Sequence, residues 1–437
     1  MFSAPDSSNF AIHIPPIQKS NRALIGLYDK LLTSREYVAT KPVQDAISAQ
    51  ITSIGSAGQI KMPSQLPNDE SVVASIFQNS AVEILFDFSL RERRYQVLFY
   101  VDRRDVGEQA PAEIRQKYKM YLDAMMVWID VVTSPSASNA CIDSATIYIY
   151  LTALEKTVPS VSVDQPNIIG ETNVNSAFTF SCPRDGEMVV YRKEEWFKCF
   201  IHETFHLFGL DFSDHVTQSV TESCSSMLSL FHVQSDVRLY EAYSEFWARV
   251  INAMFCGAFV NNSTENTMAV LHQEPAVHKI FLTRFHNYMR VEVKHSLFQM
   301  AKVLDVFDLD YEDIVSNAFE RKSRSFTRYK ESSNVLAYYI ISTVLLNNYG
   351  QFIAWCDDHR AGPGQPIFQF DNEPPLKSVD ELCEFVKRKY KARSFVDNAT
   401  LGQEYFNKLK LRLRKKHEPA LARAIRNLKM SAIACFE

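Results

Sequence analysis

Hydrophobic and polar residues are distributed differently in three successive regions of the chain. Residues 1–75 are rich in Ser, Gln and Pro and contain only short apolar pieces, which predicts a loosely structured arm with one helix around 21–33. From 76 to 262, apolar runs typical of strands and helices follow one another and predict a compact folded domain. Residues 263–437 show helical spacing almost throughout, which predicts a helical C-terminal domain with a basic tail helix.

The middle region predicts a small sheet and several helices. Runs rich in Val, Ile, Phe and Tyr are typical of strands, and apolar residues three to four positions apart are typical of helices. The predicted strands are 81–88, 95–102, 144–154 and two within 165–192, and the predicted helices are 110–132, 193–208 and 237–256. Strands that precede two long helices indicate an α+β fold with a small twisted mixed sheet.

The most apolar segment of the chain lies in the C-terminal region, at 335–346. It is 12 residues long, whereas a membrane-spanning helix needs roughly 20 apolar residues. We therefore expect a buried helix there and no membrane span. A loop at 362–366, with two Gly and two Pro, separates this helix from a final helical segment.

Composition and charge exclude some classes of function. With 437 residues, 46% of them hydrophobic, the chain can form a large core and two or three domains. Only 12 glycines argue against a glycine-loop nucleotide-binding protein, and a net charge of −4 argues against general nucleic-acid binding. Residues 408–429 differ, with nine Lys or Arg and one Glu. They predict contact with an acidic partner, a nucleic acid or a membrane surface, and the alternative is a solvated basic helix.

The eight cysteines are scattered singly, without a Cys-x-x-Cys pair. A chain of this size does not need disulfides for stability, and several of these cysteines lie in apolar runs, so we expect reduced thiols. The first residues lack the basic stretch and apolar run of a signal peptide. Together these features predict an intracellular, cytoplasmic protein.

The predicted helix at 193–208 contains the sequence His-Glu-x-x-His. His202 and His206 are four residues apart, so they lie on one helix face, where two imidazoles can converge on one metal ion. Glu203 lies beside them and can act as a general base. An apolar stripe on another face suits burial. The alternative is an amphipathic helix whose two histidines are exposed or satisfied within the core.

The residues just after the His-Glu-x-x-His sequence do not supply a clear third metal ligand. In the metzincin pattern a third histidine lies six residues after the second one, but that position is Phe212. Asp211 and His215 flank it at the wrong spacing. Gly209 is better explained as the left-handed residue that ends the helix.

The predicted helix at 237–256 offers carboxylates instead. Glu241 and Glu245 lie one turn apart, on the face that also carries Ser244 and Ala248. Small residues let this helix pack closely against another and present an acid to it. Glu241 can then bind the metal, and Glu245 can hydrogen-bond a ligand histidine from behind. The alternative is a surface helix with two solvated acids.

The segments HETFH (202–206) and EAYSEFWA (241–248) resemble those of the gluzincins, the thermolysin-like zinc peptidases. The resemblance covers about 30 residues and implies a zincin-like core with two active-site helices. It implies that Glu241 is the third zinc ligand and that Glu245 supports a ligand histidine. A second register, in which Glu245 itself is the ligand, stays open because Ala248 follows it by three residues.

The resemblance also implies a function. His202, His206 and Glu241 would hold one Zn²⁺ ion, and Glu203 would be the general base for hydrolysis of a peptide bond. The substrate would be a peptide or a protein. The alternative is a structural or interaction protein that retains a metallopeptidase fold with weak or no activity.

Two further features of the family are sought in this sequence. Residues 175–180 (NSAFTF) resemble the edge strand that pairs with substrate, which implies that Ala177 and Phe178 contact the peptide. An ordinary core strand is the alternative. The family's transition-state-stabilising His or Tyr has no clear counterpart, and the candidates are His215, His232, Tyr240 and Tyr243.

The same two helical segments also resemble metallopeptidase-like proteins predicted in large DNA viruses of protists and algae. That resemblance implies a virion or a virus factory as the location. It agrees with the absence of a signal-peptide pattern.

Overall fold

The structure is a computed structural model. It describes residues 10–15, 18–65, 69–107, 111–134, 141–159, 167–259, 274–360, 362, 364–371, 377–416 and 418–436. The predicted boundary between 262 and 263 lies outside these residues. So do part of the loop at 362–366 and both ends of the chain.

Among the described residues, six strands form one mixed sheet. They are β1 (Ser48–Ser53), β2 (Ser80–Leu90), β3 (Arg93–Asp102), β4 (Ser144–Thr152), β5 (Ala177–Thr179) and β6 (Asp185–Arg192). Their order across the sheet is β1-β2-β3-β4-β6-β5. The strands β3, β4 and β6 are parallel to one another, and the other neighbours pair antiparallel. The prediction of a mixed sheet is confirmed.

Helices pack against both faces of the sheet and make up most of the described part of the C-terminal region. In the first half they are α1 (Asn21–Val38), α2 (Lys41–Asp45), α3 (Glu70–Asn79), α4 (Arg103–Val106), α5 (Pro111–Thr133), α6 (Glu171–Val174), α7 (Trp196–Leu207), α8 (Gln218–Ser225) and α9 (Leu239–Phe259). In the second half they are α10 (Glu274–Val306), α11 (Tyr311–Val315), α12 (Phe319–Arg328), α13 (Ser342–Asn347), α14 (Tyr349–Asp358), α15 (Lys377–Lys389), α16 (Arg393–Lys415) and α17 (Pro419–Arg426). A π-helical segment (Leu336–Ile341) leads directly into α13.

The central strands are apolar on both faces, which explains their uninterrupted hydrophobic runs. Val97 and Ile147 belong to the main hydrophobic cluster on one face, whereas Leu98 and Tyr148 belong to a smaller cluster on the other. Successive side chains of a strand point to opposite faces, so a buried central strand has no polar alternation. The sheet is thus held in the core, and the loop after β6 leads directly into α7.

The prediction of a loosely structured arm is wrong for the described part of 1–75. The predicted helix is confirmed as α1, which packs against α5. The segment 48–53, however, is strand β1 and pairs with β2 along its whole length. Its side chains are mostly exposed, so it carries no hydrophobic pattern, and its position depends on backbone hydrogen bonds to β2.

The C-terminal region is helical in its described parts, as predicted. The apolar run at 335–346 is buried except for the partly exposed Tyr338, and it forms the π-helical segment and most of α13. Among the helices described, none has the length and hydrophobicity needed to cross a membrane. The main hydrophobic cluster includes residues from all three predicted regions, such as Leu24, Ile147 and Leu345. The predicted division into domains therefore stays a prediction.

The prediction that all cysteines are reduced is wrong for four of them. Cys141 pairs with Cys182, and Cys256 pairs with Cys435. The free cysteines of the structure are all buried, namely Cys199, Cys224, Cys356 and Cys383. The paired residues are 41 and 179 positions apart. Because only the folded chain brings them together, their spacing in the sequence carries no local sign of pairing.

Candidate metal centre

Helix α7 presents the histidines from a buried position. All of its residues are buried, so the apolar stripe packs into the core as predicted. The helix ends as the sequence predicts, because Gly209 has a positive φ of 63°. The Gly209 N–H donates to the His206 carbonyl at 3.2 Å, and the Leu210 N–H donates to the Phe205 carbonyl at 2.8 Å. These two bonds form a Schellman motif and turn the chain back towards His206.

Three side-chain atoms from α7 and α9 that could bind a metal ion lie close together. The Nε2 atoms of His202 and His206 are 3.3 Å apart. The Oε2 atom of Glu241 lies 3.1 Å from the first and 3.4 Å from the second. All three residues are buried. The predicted ligands His202, His206 and Glu241 are therefore brought together, and Glu241, not Glu245, is the carboxylate that faces both imidazoles.

The spacing of these atoms fits a small metal ion. Donors at the corners of a tetrahedron are about 3.3–3.4 Å apart when each lies about 2.0–2.1 Å from a central zinc ion. The three observed separations are 3.1, 3.3 and 3.4 Å. Two imidazoles and one carboxylate are also a donor set typical of catalytic zinc sites with an open fourth position. The group can thus hold a metal ion.

A second acid fixes the orientation of His206. The Nδ1 atom of His206 lies 2.6 Å from Oδ2 of Asp211, which is fully buried. Asp211 also accepts hydrogen bonds from Ser244 in α9 and from the backbone and hydroxyl of Ser213. In the sequence, Asp211 stands only as a possible metal ligand at the wrong spacing. The turn after Gly209 brings Asp211 to the Nδ1 side of the imidazole, where it orients the candidate ligand His206.

Glu245 lies behind the other histidine, His202, on the side of its Nδ1 atom. Its Oε2 atom is 3.3 Å from Nδ1 of His202, a close contact that does not meet hydrogen-bond geometry. The same oxygen accepts from Lys198 at 2.8 Å, and Oε1 accepts from Arg249 at 2.7 Å. Glu245, Lys198 and Arg249 are all buried. Glu245 is thus committed to two cations and to the back of His202.

The carboxylate of Glu241 has two partners from a distant segment. Asn334 donates from its amide nitrogen to Oε1 at 3.0 Å, and the Tyr338 hydroxyl donates to Oε2 at 3.0 Å. The sequence does not mark either residue as part of a site, because Tyr338 lies within the apolar run at 335–346 and Asn334 directly precedes it. Only the position of this segment beside α9 reveals them.

Glu203 is buried beside the cluster. Within the described part of the chain its carboxylate has no hydrogen-bond partner. Burial raises the pKa of Glu203 above its ordinary value, and the charges of His202 and His206 oppose this shift. A carboxylate with a raised pKa and no competing partner is suited to accept and release a proton.

The histidines and Glu241 stabilise each other's charged forms. Burial works against the charged form of His206, but Asp211 and Glu241 hold its pKa well above the ordinary value. Burial likewise opposes the charged form of Glu241, but His206 and His202 hold its pKa below the usual range. A metal ion that binds these nitrogens has to displace their protons.

The candidate transition-state stabilisers lie at different distances from the cluster. The ring of Tyr240 meets that of His206 edge to face, with centroids 5.8 Å apart. Tyr243 points into the core and donates to the Phe368 carbonyl. His232 contacts Asn317, and the half-exposed His215 contacts Asp214. Of the four, Tyr240 is the one whose ring packs against that of the candidate ligand His206.

The predicted substrate strand lies at one edge of the sheet. Strand β5 contains Ala177 and Phe178, pairs with β6 on one side, and packs beside α7. Its outer side has no neighbouring strand in the described sheet. The backbone groups on that side are therefore free of strand pairing beside the helix that carries both histidines.

The basic tail segment at 408–429 lies in α16 and α17. Some of its cations are paired, such as Lys410 with Asp305 and Arg412 with Glu418. Others are exposed, such as Lys408 and Lys415. Contact of this segment with an acidic partner or a nucleic acid stays a prediction.

No protein-family model, curated protein or solved structure matches this chain. The resemblances to gluzincins and to viral metallopeptidase-like proteins therefore stay predictions, as does the cellular location. The geometry of the metal centre is the basis for a functional proposal.

Proposed function

We propose that this protein is a zinc-dependent peptide hydrolase with a zincin-like core. The proposal rests on three buried atoms that lie 3.1–3.4 Å from one another, namely Nε2 of His202, Nε2 of His206 and Oε2 of Glu241. These separations match those of three ligands around one tetrahedral zinc ion. Zinc bound there supplies Lewis-acid activation of a water molecule and of the substrate carbonyl.

Glu203 performs the proton transfers in this proposal. It follows the ligand His202 directly on α7, is buried, and has no hydrogen-bond partner in the described structure. Its carboxylate accepts the proton of the attacking water and passes it to the nitrogen of the leaving amine. General acid–base catalysis of this kind contributes about 10²- to 10⁴-fold in rate.

Strand β5 supports a peptide as the substrate. An extended peptide can add to a free strand edge through backbone hydrogen bonds, which gives affinity with little dependence on sequence. The strand packs beside α7, so a peptide paired with Ala177 and Phe178 runs past the ligand helix.

Metal analysis and peptide digestion test this proposal. We expect the purified wild-type chain to bind about one zinc ion per chain and to cleave peptides in a mixed library followed by mass spectrometry. Glu203→Gln should retain the zinc and lose at least about 10²-fold in cleavage rate. Glu222→Gln, an exposed glutamate in α8, is the matched control and should change neither.

Two results would contradict the proposal in different ways. Unchanged cleavage by Glu203→Gln would remove the general-base role. A wild-type chain that binds zinc but cleaves no peptide would favour the alternative of a structural or interaction protein with a retained metal site.

A further inference from the structure

Two side chains of one helical turn, Asn334 and Tyr338, hydrogen-bond the carboxylate of Glu241. Asn334 and Tyr338 are four residues apart, and the Tyr338 N–H donates to the Asn334 carbonyl at 2.9 Å. Their side chains therefore project from the same side of the chain. Each donates to a different oxygen of Glu241, at 3.0 Å in both cases.

The two oxygens of Glu241 have different surroundings. Oε2 faces both imidazole nitrogens, whereas the contact of Oε1 is with the Asn334 amide. An oxygen that accepts this hydrogen bond is turned away from the imidazoles. Each carboxylate oxygen has two lone pairs, so Oε2 can face a metal ion while it accepts from Tyr338. Binding through both oxygens would require the carboxylate to rotate, and this rotation would move Oε1 away from the Asn334 amide.

The turn that carries these two side chains is itself anchored. Glu331 accepts from the backbone N–H of Leu336 at 2.8 Å and from the Tyr329 hydroxyl at 2.8 Å. The hydroxyl of Ser333 contacts Asn175, just upstream of β5, at 3.3 Å. A π-helical turn is rare and is found frequently at functional sites. Here it sets Tyr338 over Glu241.

We propose that Asn334 and Tyr338 are positioning residues for Glu241. Asn334 holds Oε1 away from the imidazoles and Tyr338 holds Oε2 on the side that faces them, so that Glu241 would bind a metal through Oε2 alone. The inference rests on the proposed metal site. A single carboxylate oxygen with two imidazoles keeps the metal three-coordinated by protein, which leaves one position open in a tetrahedral site. Two carboxylate oxygens would occupy that position or expand the coordination number. The pair thus keeps the open position available and favours small four-coordinate ions over ions that prefer six or more oxygen ligands.

Cobalt substitution tests this role independently of catalysis. Four-coordinate Co²⁺ absorbs visible light several-fold more strongly than five- or six-coordinate Co²⁺. The full-length chain, stripped with a chelator and reloaded with Co²⁺, should show strong absorption. Asn334→Ala should lower the absorption per bound Co²⁺ and weaken Zn²⁺ binding by about 10- to 100-fold, the usual cost of losing a partner of a metal ligand. Tyr338→Phe should weaken binding in the same range.

Tyr339→Phe is the matched control for Tyr338→Phe. It removes one hydroxyl from the same π-helical segment, but that hydroxyl donates to the Leu428 carbonyl and not to Glu241. We expect it to leave both the spectrum and the zinc affinity unchanged, which separates positioning from general destabilisation. If Asn334→Ala does not fold, Asn334→Ser and Tyr338→Phe carry the test.

The outcomes distinguish this inference from the proposed function. A wild-type chain that binds neither Zn²⁺ nor Co²⁺ overturns both. A wild-type chain that binds metal, together with wild-type spectra and affinities in Asn334→Ala and Tyr338→Phe, overturns only the positioning role. Equal losses in Tyr339→Phe and Tyr338→Phe would overturn it as well.

Discussion

Exchanging each of the two glutamates of α9 for glutamine should separate the metal ligand from its support. Glu241 faces the two imidazoles, at 3.1 and 3.4 Å. Glu245 pairs with Lys198 and Arg249, at 2.8 and 2.7 Å, behind His202. We predict that Glu241→Gln removes metal binding and that Glu245→Gln mainly lowers the free energy of unfolding.

The loss of unfolding free energy in Glu245→Gln can be estimated from the two buried cations that remain. Glutamine leaves the charges of Lys198 and Arg249 without their shared partner, and both side chains are at most 2% exposed. Breaking a buried ion pair in this way costs about 3–5 kcal/mol. For 437 residues the entropy of unfolding is about 0.9 kcal/mol/K, so the unfolding temperature should fall by about 4 °C. Zinc affinity should fall by no more than about 100-fold, because Glu245 supports a ligand and is not one.

Glu241→Gln should behave in the opposite way. It removes one of three ligands, so the metal content after dialysis should fall well below one ion per chain. The cost to the fold should be smaller than for Glu245→Gln. The basic neighbours of Glu241 are histidines, which can lose a proton near neutral pH, whereas an arginine cannot.

Two measurements on each variant decide the matter. Metal content is measured by mass spectrometry after dialysis against a weak chelator. The unfolding temperature is measured by calorimetry in excess chelator, so that bound metal does not contribute to stability. Retained metal in Glu241→Gln together with loss of metal in Glu245→Gln would refute the assignment and favour the second register. Equal unfolding temperatures would refute the role of the buried ion pairs.

Three other predictions concern the fold around the site. Thiol titration of the denatured chain should find four free thiols before reduction and eight after it, and eight before reduction would exclude both disulfides. Gly209→Ala should lower the free energy of unfolding by at least about 1–2 kcal/mol, because φ is +63° and a Cβ atom would lie 2.9 Å from the Cys141 sulfur. Chemical denaturation measures this change, and Gly58→Ala, which places its Cβ atom in open space, is the control. Burial opposes the charge of Glu195, yet Lys156 and its other cationic neighbours lower its pKa to about 2. Because the pKa of Glu195 is lower in the folded chain than in the unfolded chain, its charge stabilises the fold at pH values above about 4.5, and roughly 3 kcal/mol of this stabilisation is lost as the pH falls towards 2. Glu195→Gln should flatten the dependence of unfolding free energy on pH in this range, and an unchanged dependence would contradict the lowered pKa of Glu195.

The sequence by itself predicted the features that depend on local periodicity. The period of an α-helix places His202 and His206 on one face whatever surrounds the helix. The positive φ at Gly209 follows from the preference of glycine for the residue after a helix end. The strands β2, β3 and β4 were predicted from their apolar runs, since central strands are buried on both faces.

The tertiary structure alone decided which residues complete the site. Glu241 and Glu245 lie on the same face of one helix, about one turn apart, so their own periodicity cannot tell which one meets the imidazoles. That depends on how far α9 is displaced along α7, and the packing of the whole core sets this displacement. Asn334 and Tyr338 are more than 90 positions from Glu241 in the sequence. The disulfide partners and the exposed strand β1 are likewise placed by contacts between distant segments, which no local pattern of hydrophobic residues records.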